Sequence, residues 1–123
     1  MLGSASVVGF IPVKDFLRAE AFYTGKLGLR LVAKDAFALV FESGGTSIRV
    51  VKVAEFAPFG FTILGWRVQD VAASVSALSA RGIVFERYPP MKQDQLGIWT
   101  APGGARVAWF KDPDGNVLSV SSR

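Results

Sequence analysis

Any chemistry in this chain must be done without histidine or cysteine, because its 123 residues contain neither. That removes the Cys/His zinc site, the disulfide framework, the thiolate nucleophile and every triad built on an imidazole base. The groups left for acid–base work are Asp94, Glu42, Glu86 and Tyr88, and none has a partner that spacing alone identifies. The ten Asp and Glu residues are scattered, which is a poor basis for an oxygen-rich cation cage. Fourteen Lys and Arg give a net charge of +4. They run from Lys14 to Arg123 without clustering, which fits anionic small ligands better than nucleic acid.

The elements that must position these groups come from a repeat. Ile11-Pro12-Val13-Lys14-Asp15, a helical stretch and Leu27-Gly28-Leu29 return as Trp66-Arg67-Val68-Gln69-Asp70, a second helical stretch and Ala80-Arg81-Gly82-Ile83. The two aspartates stand 55 positions apart, half of a small domain. In each copy a β-rich run (Val7 to Val13; Phe61 to Val68) ends at an Asp whose carboxylate can accept the free amide hydrogens of a helix start. Helix one aligns Phe16, Ala19, Phe22 and Tyr23 on one face, and helix two aligns Val71, Val75 and Leu78. Gly28 and Gly82 close the helices. Three strands follow in each half: Leu29 to Lys34, Phe37 to Glu42 and Thr46 to Val53, then Ile83 to Tyr88, Gly97 or Arg106 to Lys111, and Val117 to Ser121. Ser43-Gly44-Gly45 and Asp112-Pro113-Asp114-Gly115-Asn116 supply the hairpin turns. The second turn begins like a calcium loop, but Val117 and Arg123 fall where Gly and a bidentate Glu are required, so it reads as a turn.

The expected architecture is α+β: two βαβββ modules forming a curved mixed sheet around a concave cleft. At 13.2 kDa and 50% hydrophobic residues, residues 1–123 are expected to be one domain. Module one covers about 5–54, a linker about 55–60 and module two about 61–122. The most apolar stretch, Phe56 to Trp66, is too short to span a bilayer and is broken by Pro58, Gly60 and Gly65. With no basic leader before an apolar run, a cytoplasmic location is expected, with no membrane partner.

With these pieces in place, the chain resembles the vicinal oxygen chelate superfamily, also called the glyoxalase/bleomycin resistance/dioxygenase fold. The matching segments are Val13-Lys14-Asp15 with Arg18-Ala19-Glu20-Ala21-Phe22-Tyr23, then Leu27-Gly28-Leu29, and the closing Trp109-Phe110-Lys111-Asp112-Pro113-Asp114-Gly115-Asn116. In metal-dependent members four ligands come from the opening and closing strands of the paired modules. Carried over residue by residue, those places hold Val8, Arg49, Ile63 and Ser119. Two alkyl groups, one guanidinium and one hydroxyl cannot coordinate a divalent cation. No metal and no other cofactor is therefore expected, and the metal-based isomerase, ring-cleaving and thiol-transfer activities of the superfamily lose their basis.

Arg49 offers a permanent charge and a planar donor fork, suited to a carboxylate, phosphate or enolate-like oxygen. A one-residue slip of its strand would instead turn it to solvent. Alternation adds Phe10 and Pro12 beside Val8, and Gly65 and Arg67 beside Ile63, with Arg67 either a second cation of the site or a solvated strand end. The irregular stretch Tyr88 to Ala101 reads as a flap. Tyr88 and Trp99 are placed there to stack on a flat ligand, or Trp99 to fill the core. Phe56, Phe59 and Phe61 either border the same mouth or join the halves. The candidate ligand-binding set is Phe10, Arg49, Arg67, Tyr88, Trp99 and Ser119, and no catalytic residue is assigned.

The leading expectation is a metal-free module binding a small planar or anionic organic molecule. Whether it is an enzyme stays open, the alternative being a metal-independent lyase or isomerase that uses Arg49 with a carboxylate or Tyr88. An accessory subunit acting through a partner is a third reading. The resemblance also implies a homodimer.

Overall fold

A computed structural model describes residues 1–123. The chain divides into two compact units, Met1–Ala57 and Pro58–Arg123. The α+β class and the repeated βαβββ order are as the sequence predicts, and each unit carries a mixed four-stranded sheet of its own.

In the first unit β1 (Val8–Val13) leads into α1 (Phe16–Glu20), which continues as a π-helical segment over Ala21–Lys26. Asp15 caps the helix by accepting the Leu17 amide hydrogen at 3.1 Å. Gly28 closes it with φ 75°, a conformation that a Cβ would oppose. Strands β2 (Arg30–Lys34), β3 (Ala38–Ser43) and β4 (Thr46–Lys52) complete the sheet in the order β1-β4-β3-β2. One face carries Ile11, Val13, Leu39, Phe41, Ile48 and Val50, all buried. Tyr23 packs on this face, its ring 5.8 Å from that of Phe41.

The second unit repeats the scheme. β5 (Thr62–Arg67) precedes α2 (Val71–Ala80), capped by Asp70 through the Ala73 amide at 3.0 Å and closed by Gly82 with φ 92°. Val71 and Val75 are buried on the helix face, and α2 packs against β7 (Arg106–Lys111) and β8 (Val117–Ser121) over Ala108, Phe110, Leu118 and Val120. The sheet order is β5-β8-β7-β6, with β6 reduced to Trp99–Thr100.

One expected strand needs correction. Ile83 to Tyr88 is not a strand; its backbone pairs with the sheet at the Phe85–Phe110 bridge and through a 2.8 Å bond from the Glu86 amide to the Trp109 carbonyl. The outer edge of β7 is thus divided. Phe85 and Glu86 cover its end at Trp109 and Phe110, and β6 covers its start at Arg106 and Val107. The apolar Ile83, Val84 and Phe85 gave the run a strand-like pattern. Ile83 is instead buried next to the helix end, and Val84 is 76% exposed.

Candidate functional site

Strand pairing decides which predicted residues meet. In the first unit Phe10 and Arg49 are register partners on β1 and β4, with Val40 of β3 on the far side of Arg49. All three lie on the face opposite the buried one, where Phe10 is 62% exposed and Arg49 is exposed. Arg49 is exposed to solvent on this open sheet face, in register with Phe10, and is not enclosed in a cleft of its own unit. The carboxylate that feels its charge is Asp35, in the turn between β2 and β3. Asp35 accepts the amide hydrogens of Phe37 at 2.7 Å and Ala38 at 3.0 Å, which hold its pKa below the ordinary value, with Arg49 adding to the effect. That carboxylate is exposed and committed to its turn, so no buried acid–base partner stands next to Arg49.

In the second unit the corresponding face carries Gly65 and Arg67 on β5, Ser119 on β8 and Trp109 on β7, with Gly65–Ser119–Trp109 forming one continuous row in which Ser119 is buried. A Cβ at Gly65 would lie 2.5 Å from Ser119 Oγ, so glycine there leaves room for the hydroxyl. Arg67 begins the next row, Arg67–Ser121–Val107–Trp99, three strands away from Trp99 at the exposed end of β5.

Tyr88 and Trp99 both converge on Trp109. The Tyr88 ring meets it edge-on at 5.6 Å, and Trp99 lies tilted against it at 6.2 Å. Trp99 is half-buried and belongs to this ring cluster rather than to the core. Beside the cluster is a cavity of about 240 Å³ lined by Gly60, Phe61, Thr62, Tyr88, Trp109 and Val117. Phe61 stacks on Phe59 at 4.9 Å, and both rings are more than half exposed, so they border the opening instead of filling a core. Phe56 lies under the Lys14 ammonium, 5.7 Å from its ring centre. No formally charged residue lines the cavity, and the polar side-chain groups of its lining residues are the Thr62 and Tyr88 hydroxyls and the Trp109 indole N–H. Burial, followed by the nearby Glu86 carboxylate, raises the Tyr88 pKa, so the phenol keeps its proton at neutral pH and acts as a donor.

The remaining acid–base candidates serve the scaffold. Asp94 accepts the amides of Leu96 and Ile98, both at 2.9 Å, and pairs with Arg106 at 3.6 Å. Glu42 pairs with Arg30 and accepts the Gly45 amide, and Glu86 pairs with Lys111 at 3.7 Å. The stretch 88–101, expected as a flap, is bonded internally: the Arg87 guanidinium donates to the carbonyls of Asp94 and Gln95, and Gln93 bonds three backbone groups. Sequence reasoning missed the central member of the cluster, Trp109. The signal was present in β7, where alternation from the buried Ala108 and Phe110 puts Trp109 on the face of Ser119.

The comparisons with known proteins agree with the fold. The model of the Glyoxalase/Bleomycin resistance protein/Dioxygenase superfamily matches residues 5–120. The chain belongs to that superfamily. A curated relative, "Uncharacterized protein YraH" of Bacillus subtilis, is 26% identical over 88% of this chain and 90% of its own length. Among solved structures, the bleomycin resistance determinant encoded on transposon Tn5 aligns over 98% of both chains with TM-score 0.76 and 21% identity. Lactoylglutathione lyase from Agrobacterium tumefaciens aligns over 96% of this chain and 92% of its own, with TM-score 0.74 and 20% identity. These likenesses carry the fold. The four residues carried over by the resemblance, Val8, Arg49, Ile63 and Ser119, supply one neutral oxygen donor between them, a poor match to a divalent ion, and no three Asp or Glu gather elsewhere. No helix is long and apolar enough to cross a membrane.

Proposed function

We propose that this superfamily member binds a small organic molecule without a metal, seating a flat, uncharged ring system in the second unit's cleft, with Arg49 on the first unit's sheet face as a separate place for an anionic group. The observation that carries the reading is the Tyr88–Trp109–Trp99 cluster beside the 240 Å³ cavity. Large rigid rings give contact area at small entropic cost. A dry cavity of about 150 Å³ already holds benzene, so this one suits one or two fused rings. The Tyr88 phenol then donates a hydrogen bond to an acceptor on the ring. Ser119 pairs in register with Trp109 on the same sheet face, and Arg67 lies at the end of β5 away from the cavity.

Binding is favoured over catalysis because Asp94, Glu42 and Glu86 are engaged in turns and ion pairs, and Tyr88 holds its proton. A homodimer is the expected assembly: β1 is a sheet edge with Val8 and Phe10 exposed, and an unpaired edge is a motive for association. Sedimentation at micromolar concentration checks this.

The functional test is titration with 2-naphthol, followed by tryptophan fluorescence. Saturable quenching is expected, and Trp109→Ala is expected to weaken it about ten-fold or more. Binding of 2-naphthoate by an Arg49→Ala variant addresses the anionic part, with loss of the salt-sensitive component expected. Unsaturable quenching in the unmodified protein overturns the reading. So does a stoichiometric rise in melting temperature on adding manganese, nickel or zinc.

A further inference from the structure

The divided edge of β7 leaves two short segments, Phe85–Tyr88 and Gly97–Thr100, that must lie end to end without a strand to join them. The Gln93 side chain fills that gap. Its Oε1 accepts the Tyr88 amide hydrogen at 2.7 Å, and its Nε2 donates to the Glu86 carbonyl and the Gly97 carbonyl, both at 2.9 Å. Its backbone also bridges to Trp99. One primary amide therefore ties together the two segments that carry Tyr88 and Trp99, the two rings that meet Trp109.

Other side chains in the loop act differently. The Arg87 guanidinium and the Asp94 carboxylate each satisfy backbone groups of a single polarity, Arg87 donating to two carbonyls and Asp94 accepting from two amides. The gap at Gln93 presents one N–H and two carbonyls, and only a group that both donates and accepts can satisfy all three. Aspartate and glutamate lack the donor, while lysine and arginine lack the acceptor.

We infer that Gln93 is the positioning residue of the aromatic cleft, fixing the Tyr88 and Trp99 rings against Trp109 by splicing the two segments on the outer edge of β7. This deepens the proposed binding function and rests on it for its ligand consequence, whereas the positioning of the rings is read independently of any ligand.

The test uses the full chain with Gln93→Met, Gln93→Ala and Gln93→Glu. Near-ultraviolet circular dichroism reports the ring cluster and 2-naphthol titration reports the cleft. Gln93→Met keeps the length of the side chain without its bonds and is expected to lower the aromatic dichroism and weaken 2-naphthol about ten-fold, with far-ultraviolet dichroism retained. At pH 7.5 Gln93→Glu is expected to behave likewise, because its carboxylate accepts from Tyr88 but faces two carbonyl oxygens with no proton to give. At pH 4 the protonated carboxyl regains a donor, and aromatic dichroism is expected to return in part for Gln93→Glu and not for Gln93→Met or Gln93→Ala. A merely space-filling role would show no such pH-dependent difference.

Unchanged aromatic dichroism in Gln93→Met, or a Gln93→Glu signal that is the same at both pH values, overturns the inference. If Gln93→Ala fails to fold, the Gln93→Glu pH comparison still decides. If the unmodified protein binds no 2-naphthol, the functional reading fails while the dichroism continues to judge Gln93.

Discussion

The two halves share a strand order but differ at the fourth strand, and that difference produces the cleft. In the first unit β2 runs along β3 from Arg30 to Lys34, with a single register shift between Leu31 and Ala33. In the second unit the equivalent edge of β7 is shared between Phe85–Glu86 and β6, and the intervening chain loops out with its own hydrogen bonds. The continuous edge leaves an open face on which Phe10 and Arg49 stand among small aliphatic neighbours. The broken edge brings Tyr88 and Trp99 onto Trp109 from two different segments. A duplicated scaffold therefore keeps its core and gains an aromatic cluster where one strand is interrupted, since an interruption lets side chains reach the sheet face from outside its register.

The hairpin turns offer the strongest way to break this comparison. In the second unit the buried Asp112 accepts the amides of Asp114 and Asn116 at 2.9 Å and the Asn116 side-chain amide at 2.8 Å. In the first unit the Gly44-Gly45 turn, with φ 55° and 83°, needs little help beyond the bond from the Gly45 amide to Glu42. Asp112→Ala is expected to lower stability by about 2–4 kcal/mol, because it strands buried donors. Glu42→Ala is expected to cost about 0.5–1 kcal/mol. Urea denaturation of both variants measures the gap, and equal losses would refute the claimed asymmetry.

A second pair of substitutions probes glycines. Gly97 has φ 88°, and a Cβ there would come within 3.2 Å of Phe85 Cβ, inside the spliced edge. Gly9 on β1 has open space around it and no left-handed conformation. Gly97→Ala is expected to destabilise by about 1–2 kcal/mol, and Gly9→Ala to be neutral or to stabilise by about 0.5 kcal/mol. Thermal unfolding distinguishes the two signs.

The smallest expected effect concerns acid. Asp35 has a folded-state pKa lowered first by the Phe37 amide and then by the Ala38 amide, so it contributes stability above its unfolded pKa of 3.8 and loses it as pH falls below that value. Asp35→Asn is expected to flatten the acid side of the stability curve in that window alone. An unchanged curve between pH 4 and pH 2 would remove Asp35 from the account.

The sequence displayed some of these features and concealed others for a physical reason. Asp15, Asp70, Gly28, Gly82 and the Asp112 turn were readable because each acts on backbone within a few residues of itself, where local chemistry decides the conformation. Phe10 could be placed on the face of Val8 because alternation along a strand has a fixed period, whereas the place of Arg49 came from the resemblance. The run from Ile83 to Tyr88 misled because its apolar pattern suits a strand, while its backbone bonds go to a helix end, a glutamine side chain and a single stretch of β7.

The amino-acid order by itself determined the duplication, the caps, the turns, the superfamily and the absence of imidazole and thiol chemistry. Tertiary structure alone decided that Trp109 would gather Tyr88 and Trp99, that Asp94 would brace a loop, and that Gln93 would join two segments. Those outcomes depend on which strand edge each segment finds, and edge pairing is settled by packing of the whole unit rather than by neighbours in the chain.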